Sequence, residues 1–152
     1  MKSTLKLTFL FFITTILFNC SKDDEIQRND NSIIPSTSLG RDNQVLGTVY
    51  LSSRDVTISV WDHGIIDGDV VSIYVNGELL IDEETLNGPS DKIEVNTTLE
   101  YNGYNYILLY AHNEGSISPN TAAIRIDDGV STEDFTLESN LSTNGAVDLV
   151  ID

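Results

Sequence analysis

The sequence predicts an all-β sandwich, and three observations predict it. Apolar and polar residues alternate at period two in run after run from residue 45 to 151. That spacing puts one face of each strand in a core and the other in water. Two Asn-Gly pairs, Asn76-Gly77 and Asn144-Gly145, stand between such runs. Both residue types tolerate the positive φ that a tight hairpin turn demands. Beyond residue 18, no window keeps apolar residues at helical spacing.

The elements follow in order. The first run is 45–52. Val56, Ile58 and Val60 then alternate with Thr57, Ser59 and Trp61. Val71, Ile73 and Val75 alternate with Ser72 and Tyr74, and 79–82 returns across Asn76-Gly77. Ile93, Val95, Thr97 and Leu99 make the next run. Within 101–115, Asn105, Ile107, Leu109 and Ala111 share one face, and Tyr104, Tyr106, Leu108 and Tyr110 share the other. A loop containing Pro119 leads to 122–126. The last runs, 135–138 and 147–151, flank Asn144-Gly145, read as a second hairpin turn. About eight to nine short antiparallel strands are expected, packed in two layers. The folded body is placed at 44–152, long enough to bury a core.

The chain ahead of that body has a different character. Lys2 and Lys6 precede an apolar run over 7–18, too short to span a bilayer. Residues 1–19 are therefore expected to be a signal peptide. Cys20, the single cysteine, follows directly and has no partner for an internal disulfide. Leu17-Phe18-Asn19-Cys20 resembles a bacterial lipobox. The resemblance implies cleavage before Cys20 and acylation of the cysteine, which makes Cys20 the lipid anchor. The run Ser21-Lys22-Asp23-Asp24-Glu25 resembles the acidic export tag of surface lipoproteins in the Bacteroidota. It implies an outer-membrane protein facing the cell exterior. Residues 20–43 are read as the acylated cysteine and a flexible acidic tether. The pair Ile33-Ile34 in that tether is too little to build an element.

Charge excludes some partners. The chain carries 24 acidic and 8 basic residues, a formal net charge of −16 at pH 7. That field opposes nucleic acid and anionic membrane surfaces, so membrane contact is expected through the lipid alone.

The motifs of the body, taken together, carry a further resemblance. Gly103, Asn105, Ile107, Leu109, Ala111, Asn113 and Gly115 recur at every second position, a pattern that resembles a strand of bacterial immunoglobulin-like domains. Asp62-His63-Gly64, Asp67-Gly68-Asp69, Asn76-Gly77, Tyr110-Ala111 and Pro119-Asn120-Thr121-Ala122 together are similar to a small β-sandwich domain of surface proteins in the Bacteroidota. The resemblance implies an immunoglobulin-like antiparallel sandwich in a surface setting. It implies no activity.

Two groups of residues are candidate sites. Asp62, Asp67 and Asp69 lie close in sequence and could converge on calcium, a hard cation that takes several oxygens from a loop. Asp and Gly are also ordinary turn formers, so the same residues could simply shape the entry to a strand. Tyr104 and Tyr106 are expected to face outward together. Aromatic rings at that spacing can stack on sugars, and equally can pair across strands with no ligand. His63 and His112 lack the further ligands that a zinc site needs. No Gly-x-Ser-x-Gly, His-Glu-x-x-His or phosphate-loop motif is present. The expected role is a non-catalytic binding module for a glycan or a surface protein, or an accessory subunit of a larger outer-membrane complex. A small hydrolase ranks last.

Overall fold

The computed structural model describes residues 31–152. The expected signal 1–19, the anchor Cys20 and the first part of the expected tether, 21–30, lie outside the described residues. Ten strands follow one another: β1 (Thr37–Ser38), β2 (Arg41–Leu51), β3 (Asp55–Asp62), β4 (Val70–Val75), β5 (Glu78–Thr85), β6 (Ile93–Thr98), β7 (Tyr104–Ala111), β8 (Asn120–Asp127), β9 (Thr132–Ser139) and β10 (Thr143–Ile151). One sheet has the order β1-β2-β10-β7-β4-β5, the other β6-β3-β8-β9. The chain is thus an all-β sandwich, as the alternation predicts. Among the described residues, a single helical turn, Pro89–Asp91, interrupts the strands.

The period-two pattern explains the core. Val56, Ile58 and Val60 of β3 and Ala122, Ile124 and Ile126 of β8 meet Val71 and Ile73 of β4, Ile107 and Leu109 of β7, and Val147 and Leu149 of β10. All are buried. Burying one such side chain contributes about 1.5–3 kcal/mol, so the shared inner face is the main source of stability. The Asn76-Gly77 turn joins β4 to β5 as expected, with φ of 52° and 86°.

Three expectations need correction. The first is strand direction: β2 and β10 pair in parallel, Thr143 beside Asp42 and Ile151 beside Leu51, and every other pair is antiparallel. Hairpin logic fixes the direction of neighbours in sequence only. These two strands are joined through the whole domain, which leaves parallel pairing open to them.

The second correction is the Asn144-Gly145 turn. Both residues lie inside β10. The turn is made instead at Asn140, whose Oδ1 accepts from Ser142 N and Thr143 N at 2.7 and 2.8 Å. Glycine is required at 145 for another reason: a Cβ there would run into the backbone carbonyl of Glu138.

The third is the start of the body, which precedes residue 44. Ile34 is 2% exposed. It packs with Tyr106, Leu108 and Ala146 on the outer face of the six-stranded sheet. Ser32 Oγ donates to Asp148 Oδ1 at 2.7 Å, and Asn43 N donates to Ser36 O at 2.9 Å. Residues 31–38 therefore form a strap across β10 and β7. Farther along, Arg41 donates to the carbonyls of Ala111 and Asn140 at 2.8 and 3.1 Å and stacks 3.8 Å over the Tyr110 ring. A single apolar residue buried on distant strands leaves no local period, so composition alone assigns it to a tether.

The strap is testable. Ile34→Ala is expected to cost about 2–4 kcal/mol in urea unfolding, as for other buried Ile truncations. Its exposed neighbour Ile33 should tolerate the same change within about 0.5 kcal/mol. Equal effects at both positions would mean that the strap does not pack in solution.

Candidate functional site

The two predicted groups occupy opposite ends of β4. Asp69 precedes the strand and Asn76 follows it. Six strand residues separate the ends by roughly 20 Å.

At the Asn76 end lies a groove of about 650 Å³ lined by Ile33, Pro35, Asn76, Tyr101, Gly103, Tyr104 and Tyr106. A smaller depression of about 230 Å³ continues past Tyr106 to Tyr74, Gly77, Leu108 and the strap residues Ser38 and Leu39. Alternation sets the tyrosines on the outer face of β7, as expected. They do not form an open platform. Tyr104 is half-buried, and Tyr106 is only 7% exposed because the strap covers it. Tyr106 is the wall of a groove, and the exposed ring beside it is Tyr101. Burial pushes the Tyr106 phenol above its ordinary value. A hydrogen bond with Glu100, first, raises that of Tyr101. Both rings are neutral at ordinary pH.

A buried amide network holds the groove together. Asn105 points into the sandwich and is wholly buried. Its Nδ2 donates to Tyr101 O and Gly103 O at 2.9 and 3.2 Å. Its Oδ1 accepts from Tyr101 N and Asn76 Nδ2 at 3.0 and 2.9 Å. Asn76 Oδ1 in turn accepts from Tyr106 N at 2.9 Å. The loop carrying Tyr101 is thereby fastened to the β4–β5 turn. The signal in the sequence was an asparagine at a core-facing position of a strand, where a polar group must find partners.

At the Asp69 end the three predicted carboxylates do converge. One oxygen of each of Asp62, Asp67 and Asp69 lies within 4.8 Å of the others. They line a cleft of about 300 Å³ with His63, Ile117, Pro119 and Thr121. Asp62 ends β3, and Asp69 stands immediately before β4. Asp67 is held from the β7–β8 loop: its Oδ2 accepts from Ser116 N and Ile117 N, both at 2.7 Å. Asn113 secures the same loop, donating to Gly68 O at 2.9 Å and accepting from Val70 N at 2.7 Å. Asp69 Oδ2 accepts from Thr121 N at 3.2 Å. Burial, followed by the nearby Asp67 and Asp62 charges, raises the Asp69 carboxyl to about 6. Burial also raises Asp62.

The histidines stay apart in role. His63 lines the carboxylate cleft. His112 lies over the six-stranded sheet, its Nε2 2.8 Å from Ser72 Oγ and its Nδ1 3.5 Å from Glu83. Serine, histidine and carboxylate in a row have the order of a nucleophilic triad, and no sequence spacing pointed to it. Ser72 has no exposed surface, and its Oγ already accepts from Glu83 N at 3.0 Å. A sealed hydroxyl cannot meet a substrate, so the chain of bonds ties β4, β5 and β7 together.

Comparison of the chain with models of known protein families, with curated proteins and with solved structures found no match.

The carboxylate cleft has a pH signature. The folded-state value of Asp69, about 6, lies above the ordinary 3.8. Its contribution to stability is therefore complete below the ordinary value and lost as pH rises through the folded one. In chelating buffer, the melting temperature is expected to fall as pH rises from 4 to about 6.5, and Asp69→Asn should flatten that fall. An unchanged profile in the variant would assign the dependence to other groups.

Proposed function

We propose that this protein is a non-catalytic, immunoglobulin-like binding module, anchored at the outer membrane through Cys20, and that its groove takes a neutral glycan. The observation that carries the reading is the groove's lining. Tyr101, Tyr104 and Tyr106 are joined there by Ile33, Pro35 and Asn76, with no charged side chain among them. A neutral aromatic surface stands out on a chain of net charge −16. Tyrosine offers an apolar face for a sugar ring and a hydroxyl for its polar edge. Asn105 and Asn76 hold the loop and turn rigid before a ligand arrives, which lowers the ordering cost of binding.

A second reading, an accessory subunit docked by strand addition, is favoured by one sheet edge. Edge strands β5, β6 and β9 carry acidic residues, which discourage pairing with another chain. β1 covers β2 at Arg41 and Asp42, Ser36 O takes the Asn43 N–H, and the remaining residues of β2, 44–51, are uncharged. Such an edge can accept a partner strand.

A glycan screen separates the two. The Tyr101→Ser, Tyr104→Ser double variant is expected to keep its melting temperature and to lose glycan affinity by roughly tenfold or more. Unchanged binding would reject the groove. Co-purification of a stoichiometric membrane protein, with no glycan bound, would favour the accessory reading. For the anchor, labelled palmitate is expected to enter the unsubstituted protein and not Cys20→Ser. Equal labelling would remove Cys20 from the account.

A further inference from the structure

We propose that Asp62, Asp67 and Asp69 hold a calcium ion that ties the end of β3 to the start of β4. The site lies at the other end of β4 from the groove and does not rest on the glycan reading.

Two independent observations point to a cation. The first is convergence. One carboxylate oxygen from each residue lies within 4.8 Å of the other two. Oxygens on opposite sides of a calcium ion stand about 4.8 Å apart, twice a Ca–O distance of about 2.4 Å. The second is lack of partners. Asp62 and Asp69 are 4% and 3% exposed. Asp62 Oδ2 and Asp69 Oδ1 are buried with no hydrogen-bond donor. Buried carboxylate oxygens normally take a donor or a metal, because an unpaired buried anion is costly. Among the described residues, no Lys or Arg forms an ion pair with any of the three. Three carboxylates thus share one small cleft, with the His63 imidazole beside them and no Lys or Arg paired to them among the described residues.

Donor chemistry selects the ion. Carboxylate oxygens suit hard cations, whereas zinc and copper favour imidazole or thiolate. The three carboxylates come from irregular loops and strand ends. That suits the variable geometry and multiple oxygens of calcium better than the strict octahedron of magnesium. The two N–H groups on Asp67 Oδ2 set that carboxylate against the pair from β3 and β4. An ion bound there links strands of both sheets, since Asp62 belongs to one and Asp69 adjoins the other.

The purified full chain, stripped with chelator, is the material for the test. On titration with calcium chloride it is expected to bind one ion per molecule and to gain several degrees in melting temperature. Asp62→Asn and Asp69→Asn should each weaken calcium binding roughly tenfold or more. In chelator the same variants should melt above the unsubstituted protein, because an amide removes a buried, unpaired charge. That reversal of sign with calcium is not expected of residues that merely shape a turn. Glu133→Gln, on the exposed edge of β9, should leave the affinity unchanged. No binding at millimolar calcium, full binding in the Asp62/Asp69 double variant, or equal stabilisation by magnesium would each overturn the assignment. Glycan binding reads the groove separately, so failure of either proposal is distinguishable from failure of the other.

Discussion

The structure depends on the mutual burial of two sheet faces. Ile58 and Ile124 from one sheet and Ile73, Ile107 and Leu149 from the other have almost no contact with water. Each reaches the core because a strand turns every second side chain inward. This constraint fixes register as well as packing. Sliding β7 by one residue would exchange Ile107 and Leu109 for Tyr106 and Leu108, and would put the Asn105 amide on the wrong face. The ends of the strands are then set in space, and both candidate sites are built on those ends.

Buried polar groups show two ways of meeting one problem. Asn105 answers every demand of its amide within the chain, and the loop around Tyr101 is shaped as a result. Asp128 does the same with its charge. It accepts from Ser52 N, Val130 N and Ser131 N at 2.6–2.8 Å, and those bonds hold its carboxyl below the ordinary value. Asp62 and Asp69 have no such supply for Oδ2 and Oδ1, and their carboxyls move the other way. The contrast lies in both terms: burial outweighs the few donors at Asp62 and Asp69, whereas the N–H groups outweigh burial at Asp128. A carboxylate ringed by N–H groups is a finished structural tie. One facing other carboxylates is a demand for something outside the chain.

The two ends of the sandwich consequently differ in chemistry. The groove beyond β4 is lined by neutral and aromatic residues, and the cleft before it by carboxylates. The described chain enters at the aromatic end: Ile33 and Pro35 line the groove, and Ser32 is bound to Asp148. The strap thus belongs to the site as well as to the fold. It converts an exposed row of tyrosines into a walled groove and places the carboxylate cleft at the far end from the point of entry.

The sequence by itself determined the β class, the inward and outward faces of the strands, the Asn76-Gly77 turn and the residues of the carboxylate cluster. Each is local: period two needs only neighbours in a strand, and Asp62, Asp67 and Asp69 lie close together between the end of β3 and the start of β4. Tertiary structure decided what local pattern cannot encode. It placed β2 beside β10 in parallel, two strands that meet only after the whole chain has folded. It drew Ile34 over Tyr106, and so replaced the expected platform by a groove. It put Gly145 in a strand against Glu138 where the pair Asn144-Gly145 suggested a turn. It brought Ser116 and Ile117 to Asp67 across the β7–β8 loop. It also left Asp62 and Asp69 with unanswered oxygens, because donors arrive from distant segments and their absence is visible only once every segment has its place.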